Sequence, residues 1–214
     1  HTEQHLLPPD DRQFKKKYWE RKTFAPAAVM LYLGINKRLK NLQHHNLFFD
    51  ESFERHASEI YKQPQWPEKP ALYVSCTSIT DPTVAPEGHE NLVILIPVAP
   101  GLHDSDEIRQ RYLDLAVERI EKITGQTFKQ NIVYQKIFTH QQFISHFNAY
   151  KGNAYGLANT LKQTAFLRPP IRSKKIKNLY FSGQLTVPGP GLPPCLISGE
   201  VVAKEMIRNI NKTR

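Results

Sequence analysis

The chain has 214 residues, 40% hydrophobic and 23% charged, which is enough to bury a sizeable core and too apolar for wholesale disorder. The longest apolar run, 92–99, contains Pro97 and falls well short of the roughly 18 residues a membrane-crossing helix needs. Two cysteines exclude a disulfide scaffold and a zinc cluster, and a net charge of +9 points to an anionic partner: nucleic acid, membrane surface or phosphate.

The sequence opens on His1, with no charged-then-apolar leader behind it, and we expect a piece of a longer protein. Residues 1–23 are polar, with bases from Arg12 to Lys22 around Phe14, Tyr18 and Trp19, and read as a loop with a short surface helix. The run 27–35 suits a pleated, buried surface and predicts a strand. A mixed segment with Phe48, Phe49 and Phe53 near a helical turn ends at Pro64, Pro67 and Pro70. Strands are expected at 72–77 and 91–98, joined by thirteen residues rich in turn chemistry: Asp81, Pro82, Pro86 and Gly88. A helix is predicted over 106–124, capped by Ser105 and stopped by Gly125, with Ile108, Tyr112, Leu115, Ala116, Ile120 and Ile123 on one apolar face. A strand at 132–138 and a helix at 141–147 follow, giving an α/β body of α+β character.

The last third is different. A basic, proline-containing connector, 168–177, leads to NLYFSG at 178–183, read as a short strand. Then come the loop QLTVPGPG at 184–191 and a helix from about Pro193 to Asn209. Backbone N–H groups at a helix start can face an anion, and glycines 183, 189 and 191 permit close approach of a flat ligand. Gly189, Gly191 and Pro194 nearly complete G-x-G-x-x-G, but proline replaces the third glycine and the loop does not follow the strand directly. On spacing alone, a ligand-facing loop and an ordinary connection are equally served.

NLYFSG, QLTVPGPGLPP and CLISGEVVAKEM in succession resemble the C-terminal signature of the bacterial and fungal carotenoid desaturases, within the flavin amine-oxidase-like superfamily. The stretches at 6–34, 73–101 and 152–170 resemble the same family in the same order. The resemblance implies the C-terminal part of a two-domain FAD-dependent oxidoreductase: 1–8 as the tail of an FAD-domain segment, 9–150 as substrate-binding domain, and 151–214 as the return to the FAD domain. The N-terminal dinucleotide-binding unit, and more than half of the enzyme, would lie elsewhere, leaving these residues alone inactive.

The same resemblance assigns Gly183 and Gln184 to the flavin's ribityl and pyrophosphate region. It assigns Leu192, Pro193, Pro194 and Cys195 to a helix start aimed at the pyrimidine edge. Because prolines lack an N–H, the usable donors there are expected to begin at Cys195. The implied reaction is desaturation of a phytoene-like apolar polyene towards lycopene by hydride transfer to FAD, with a quinone or oxygen as electron acceptor. The alternatives are another carotenoid as substrate, an isomerase, or a basic binding module. A substrate tunnel is expected from the strands at 29–33, 72–74 and 92–96.

No catalytic residue is assigned. Cys195 reads as a small packing residue in preference to a thiol nucleophile, and Cys76 as core. Asp81 and Glu87 fit turn chemistry, His89 is the least dismissible polar group of its loop, and the nine histidines lack ligand spacing, so no metal is expected. The basic tracts carry no recognition helix, which argues against nucleic acid. By themselves they suit a solvated charged surface equally well; the resemblance, to enzymes whose substrates lie in the bilayer, implies docking on anionic lipid and hence a cytoplasmic protein peripheral to the inner membrane.

Overall fold

The computed structural model describes residues 1–213. In chain order its main elements are helix Lys16–Glu20 (α1), strands Ala27–Ile35 (β1) and His45–Phe48 (β2), helix Phe53–Tyr61 (α2), and strands Leu72–Ser75 (β3) and Glu90–Val98 (β4). Helix Asp106–Thr124 (α3), strand Ile132–Phe138 (β5), and helices His140–Phe147 (α4) and Leu192–Thr213 (α5) complete them. The chain forms two compact units. One holds 26–147 with 151–153, and the other combines 1–25, 148–150 and the stretch from Ala154 onward.

The first unit is built on a five-stranded antiparallel sheet ordered β2-β3-β4-β1-β5. Alternating burial along β4 and along β1 from Val29 onward makes the sheet two-faced. Val29, Leu31, Leu33 and Ile35 stand opposite Ile96, Ile94, Leu92 and Glu90, and all are buried on one side. Helix α3 joins that core through Tyr112, Leu113, Ala116, Val117 and Ile120. Its ends follow the expected signals: the Ser105 hydroxyl accepts from the Ile108 N–H, and Gly125 closes the helix at φ +69°. Its buried stripe is turned from the expected one. Leu113 and Val117 face the core, while Ile123 is 47% exposed, because the sheet rather than the sequence period selects which neighbouring rows are covered. The expected strands and helices of this unit form to within a few residues, and the body has the predicted α/β class with α+β character. Strand β2 was not foreseen. It is a short edge strand, largely exposed, with no apolar alternation to announce it, and it exists through its register with β3.

In the second unit, the side-chain amide of Gln163 accepts from the Thr23 N–H at 3.0 Å and donates to the Thr23 carbonyl at 2.8 Å. That pair ties the two sequence-distant parts together, beside a bridge between Phe24 and Leu157. The strand expected at 178–183 does not form. Tyr180 makes a single bridge with Arg172, and the unit offers no ladder among its described residues to propagate it.

Candidate functional site

The loop after Phe181 is pinned from two sides. The Gly183 N–H donates to the Ser198 hydroxyl at 2.9 Å, and the Thr186 hydroxyl lies 2.9 Å from the same Ser198 oxygen, so a fully buried serine in the second turn of α5 locks loop to helix. Beneath the loop lies Arg168, which is 4% exposed. Its Nη1 donates to the Gln184 carbonyl at 3.0 Å, and its Nη2 to Asn159 Oδ1 at 2.5 Å and the Leu157 carbonyl at 3.3 Å. Burial holds this guanidinium below its ordinary pKa, and its Nε lacks a partner. The basic connector read at 168–177 therefore splits: Arg168 is interior, while Lys174, Lys175 and Lys177 are exposed.

Gly183 and Gln184 lie at the loop's start, half-buried, and a Cβ on Gly183 would meet nothing within 4 Å. Its φ of +97° and the open space above it leave room for a group to approach the backbone. Helix α5 begins one residue earlier than expected. Leu192 and Pro193 are exposed and Pro194 and Cys195 half-buried. The donor expected at Cys195 is already committed: its N–H donates to the Gly191 carbonyl at 3.0 Å, and Pro193 and Pro194 supply none. The helix start thus offers its dipole and few directed hydrogen bonds. Sequence reasoning missed Ser198, Thr186 and Arg168. Their roles follow from where the chain returns, and none belongs to a spaced motif.

Apart from this loop, the sheet of the other unit keeps one face open. Met30 and Tyr32 of β1, Val93 and Leu95 of β4, Tyr73 of β3, Leu47 of β2 and Tyr134 of β5 lie on it by register. Leu47 and Tyr134 are 65% and 57% exposed, and α4 covers one corner, where Phe138 and Phe143 stack edge to face at 4.9 Å. The tunnel lining expected from whole strands is corrected by the pleat. Val29, Leu31, Leu33, Leu72, Val74, Leu92, Ile94 and Ile96 are buried on the α3 side, and only alternate residues reach the open face.

The buried titratable groups are structural. Glu90 accepts from the Leu39 N–H and the Ser78 hydroxyl and pairs with Arg38 at 3.1 Å. Cys76 follows β3, buried; burial chiefly, with Glu90 adding to it, pushes its thiol up to about 11. Asp81 caps its turn by accepting from the Thr83 N–H at 2.9 Å, and His89 Nδ1 sits 2.8 Å from the Glu87 carbonyl. His44 pairs with Thr80 and His45 with Tyr73. Among the described residues there is no group of three or more His, Cys, Asp or Glu suited to a metal. The N-terminal basic tract lines a cleft of about 820 Å³ with Lys17, Arg21, Lys22 and Lys162, beside Leu161, which is 91% exposed.

Residues 42–207 match the family model described as flavin containing amine oxidoreductase, and the chain belongs to that family. It is 46% identical over 98% of its length to a carotenoid 3,4-desaturase of Haloarcula japonica. It is 30% identical over 97% to a 4,4'-diapophytoene desaturase (4,4'-diaponeurosporene-forming) of Staphylococcus haemolyticus, and 30% identical over 92% to a lycopene-forming phytoene desaturase of a Paracoccus strain. The matched parts are 42%, 43% and 40% of those proteins, so the chain spans about two fifths of the length of these relatives. Membership makes FAD the cofactor. The open space over Gly183 and the orphaned, buried Arg168 Nε fit a negatively charged group at the loop. A dinucleotide-binding G-x-G-x-x-G after a strand is not among these residues.

Proposed function

We propose that the protein containing these residues is a carotenoid desaturase, an oxidoreductase that removes two hydrogens from an apolar polyene. One leaves as hydride and the other as a proton from the neighbouring carbon, and a double bond forms between them. The observation that carries this reading is the open sheet face, where Met30, Tyr32, Leu47, Tyr73, Val93 and Leu95 offer hydrocarbon over four strands, with the polar Lys136 and His45 on the two edge strands. FAD, when bound, supplies the two-electron acceptor. This chain's residues hold the polyene and exclude water, while the loop and α5 close on the cofactor through Gly183, Gln184, Leu192, Pro193, Pro194 and Cys195. The pyrophosphate cradle would come from a dinucleotide-binding unit outside residues 1–214, and a quinone or oxygen would serve as the final electron acceptor.

The 46% identity to a carotenoid 3,4-desaturase, against 30% to desaturases of the phytoene type, favours an already desaturated carotenoid over phytoene as substrate. Because such substrates reside in lipid, the protein works at the cytoplasmic face of the membrane, a reading supported by the basic cleft and by Leu161.

The test is incubation of the full-length protein, loaded with FAD, with phytoene and with a more desaturated carotenoid in anionic vesicles. Products two hydrogens lighter are expected chiefly from the second. Conversion of phytoene alone would overturn the preference, and flavin binding without conversion of either would overturn the desaturase reading.

A further inference from the structure

Arg168 is a cation with no carboxylate in ion-pair range among the described residues. Interior guanidinium groups ordinarily have one, because a charge taken out of water is costly until an opposite charge or full hydrogen bonding offsets it. Here the bonding is incomplete: Nη1 and Nη2 meet neutral acceptors, at Gln184, Asn159 and Leu157, and Nε meets none. The loop above it is fitted to this group. A Cβ on Gly189 would stand 3.1 Å from Nη2 and 3.2 Å from Cζ, and Gly189 has φ +131°, so only a bare backbone can lie this close over the guanidinium. One arm also fixes the Gln184 carbonyl, next to the open space over Gly183. Through that carbonyl the buried positive charge is linked to the half-buried start of the loop at Gly183 and Gln184, in surroundings that screen it weakly.

We propose that Arg168 is a positioning residue for the cofactor site: it braces the 184–191 loop from below, and its unneutralised charge attracts the negative charge of FAD bound on the loop's outer side. This rests on the reading of that loop as flavin-facing. Two parts of FAD carry such charge, the pyrophosphate in every redox state and the ring once it is reduced, and the two are separable by experiment.

The experiment uses the full-length protein with Arg168→Lys and Arg168→Met. FAD is titrated into each apoprotein, and the midpoint potential of the bound flavin is measured. Lysine keeps the charge and loses the forked bonds, while methionine loses both. We expect Arg168→Lys to stay close to wild type and Arg168→Met to lose about tenfold. If the charge acts on the pyrophosphate, the loss is in affinity for oxidised FAD. If it acts on the reduced ring, that affinity holds and the potential falls by about 30 mV, the equivalent of tenfold for a two-electron couple. Equal losses in both variants would reduce Arg168 to a brace and overturn the proposal, as would no change in either. Should Arg168→Met not fold, Arg168→Gln, neutral but still able to donate to the Gln184 carbonyl, takes its place with the same expectations. A wild-type protein that holds no flavin fails the underlying functional reading. Flavin held by the wild type with the variants indistinguishable fails this inference alone.

Discussion

Arg109 grips Asp104 with both sides of its guanidinium, Nε donating to Oδ1 at 2.9 Å and Nη2 to Oδ2 at 3.0 Å. The same carboxylate accepts from the Gln141 N–H at 3.0 Å and from the Thr139 hydroxyl, so one buried acid fastens the start of α3 to the start of α4.

Burial alone would raise the Asp104 pKa, but the bonds from Arg109, Thr139 and Gln141 outweigh it and the carboxyl is held below its ordinary 3.8. The unfolded chain therefore binds the proton first, and the stability Asp104 contributes, full above pH 3.8, is lost as the pH falls through its lower folded value. His140, close by, donates its Nε2–H to the Ala99 carbonyl at 2.8 Å and is held below its ordinary 6.5 chiefly by burial. It likewise withdraws stability as the pH drops below 6.5, because the unfolded ring gains its proton first. Urea midpoints measured from pH 7 to 3 are expected to fall in two stages. Asp104→Asn should cost about 3 kcal/mol at pH 7, by taking away the buried carboxylate that Arg109 grips and leaving it only the exposed Asp106, and should flatten the lower stage. A second stage of undiminished slope in that variant would remove Asp104 as its source.

The two faces of the sheet should respond oppositely to substitution. Leu31→Ala, on the α3 side, is expected to cost about 3 kcal/mol of stability through the cavity it leaves. Leu95→Glu, paired with Met30 and Tyr73 on the open side, should change stability by about 1 kcal/mol or less and raise KM for the carotenoid at least about tenfold, since it sets a charge against hydrocarbon. Unfolding curves and steady-state kinetics on both variants check this. An unaltered KM for Leu95→Glu would mean that the substrate lies elsewhere.

Thiol labelling separates the two cysteines. At any neutral pH the Cys76 thiol, at about 11 against an ordinary 9.0, carries about a hundredfold less thiolate than a free one, and it is buried as well. Mass mapping after alkylation of the native apoprotein should find Cys195 modified and Cys76 intact, with both modified in denaturant. FAD is expected to slow labelling of Cys195, and undiminished labelling at saturating FAD would remove Cys195 from the cofactor's neighbourhood.

The basic cleft gives a fourth expectation. Lys22 is held over the Tyr18 ring, its Nζ 4.7 Å from the centroid, while Lys17 and Arg21 are exposed at the rim. Each basic group near an anionic bilayer contributes about 1 kcal/mol, so Lys17→Gln with Arg21→Gln should weaken partition of the full-length protein to anionic vesicles by roughly thirtyfold, with the difference shrinking in salt. Equal partition to zwitterionic vesicles would exclude an electrostatic contribution.

Where local chemistry suffices, the residues alone announce the structure. Ser105 and Gly125 bound α3 because a hydroxyl at the first and a left-handed backbone at the second satisfy groups within one turn. The apolar runs 27–35 and 91–98 announce strands through residues suited to a pleated, buried surface, and the motif NLYFSG-QLTVPGPG-LPP, by resemblance, announces the family. The strand at 178–183 fails because a ladder needs a neighbour, and β2 escapes notice because its neighbour is what makes it a strand.

By itself, then, the sequence determined the elements with self-contained signals and the kinship with flavin-dependent desaturases. Only the tertiary structure decided which half of each strand is core and which is open, since that depends on the side α3 covers. It alone decided that the Cys195 N–H is spent on Gly191 and that Ser198 locks the loop. It also turned Arg168 from one base in a surface tract into an interior charge. Burial and partnership belong to the space between segments distant along the chain, and no spacing of residues encodes that space directly.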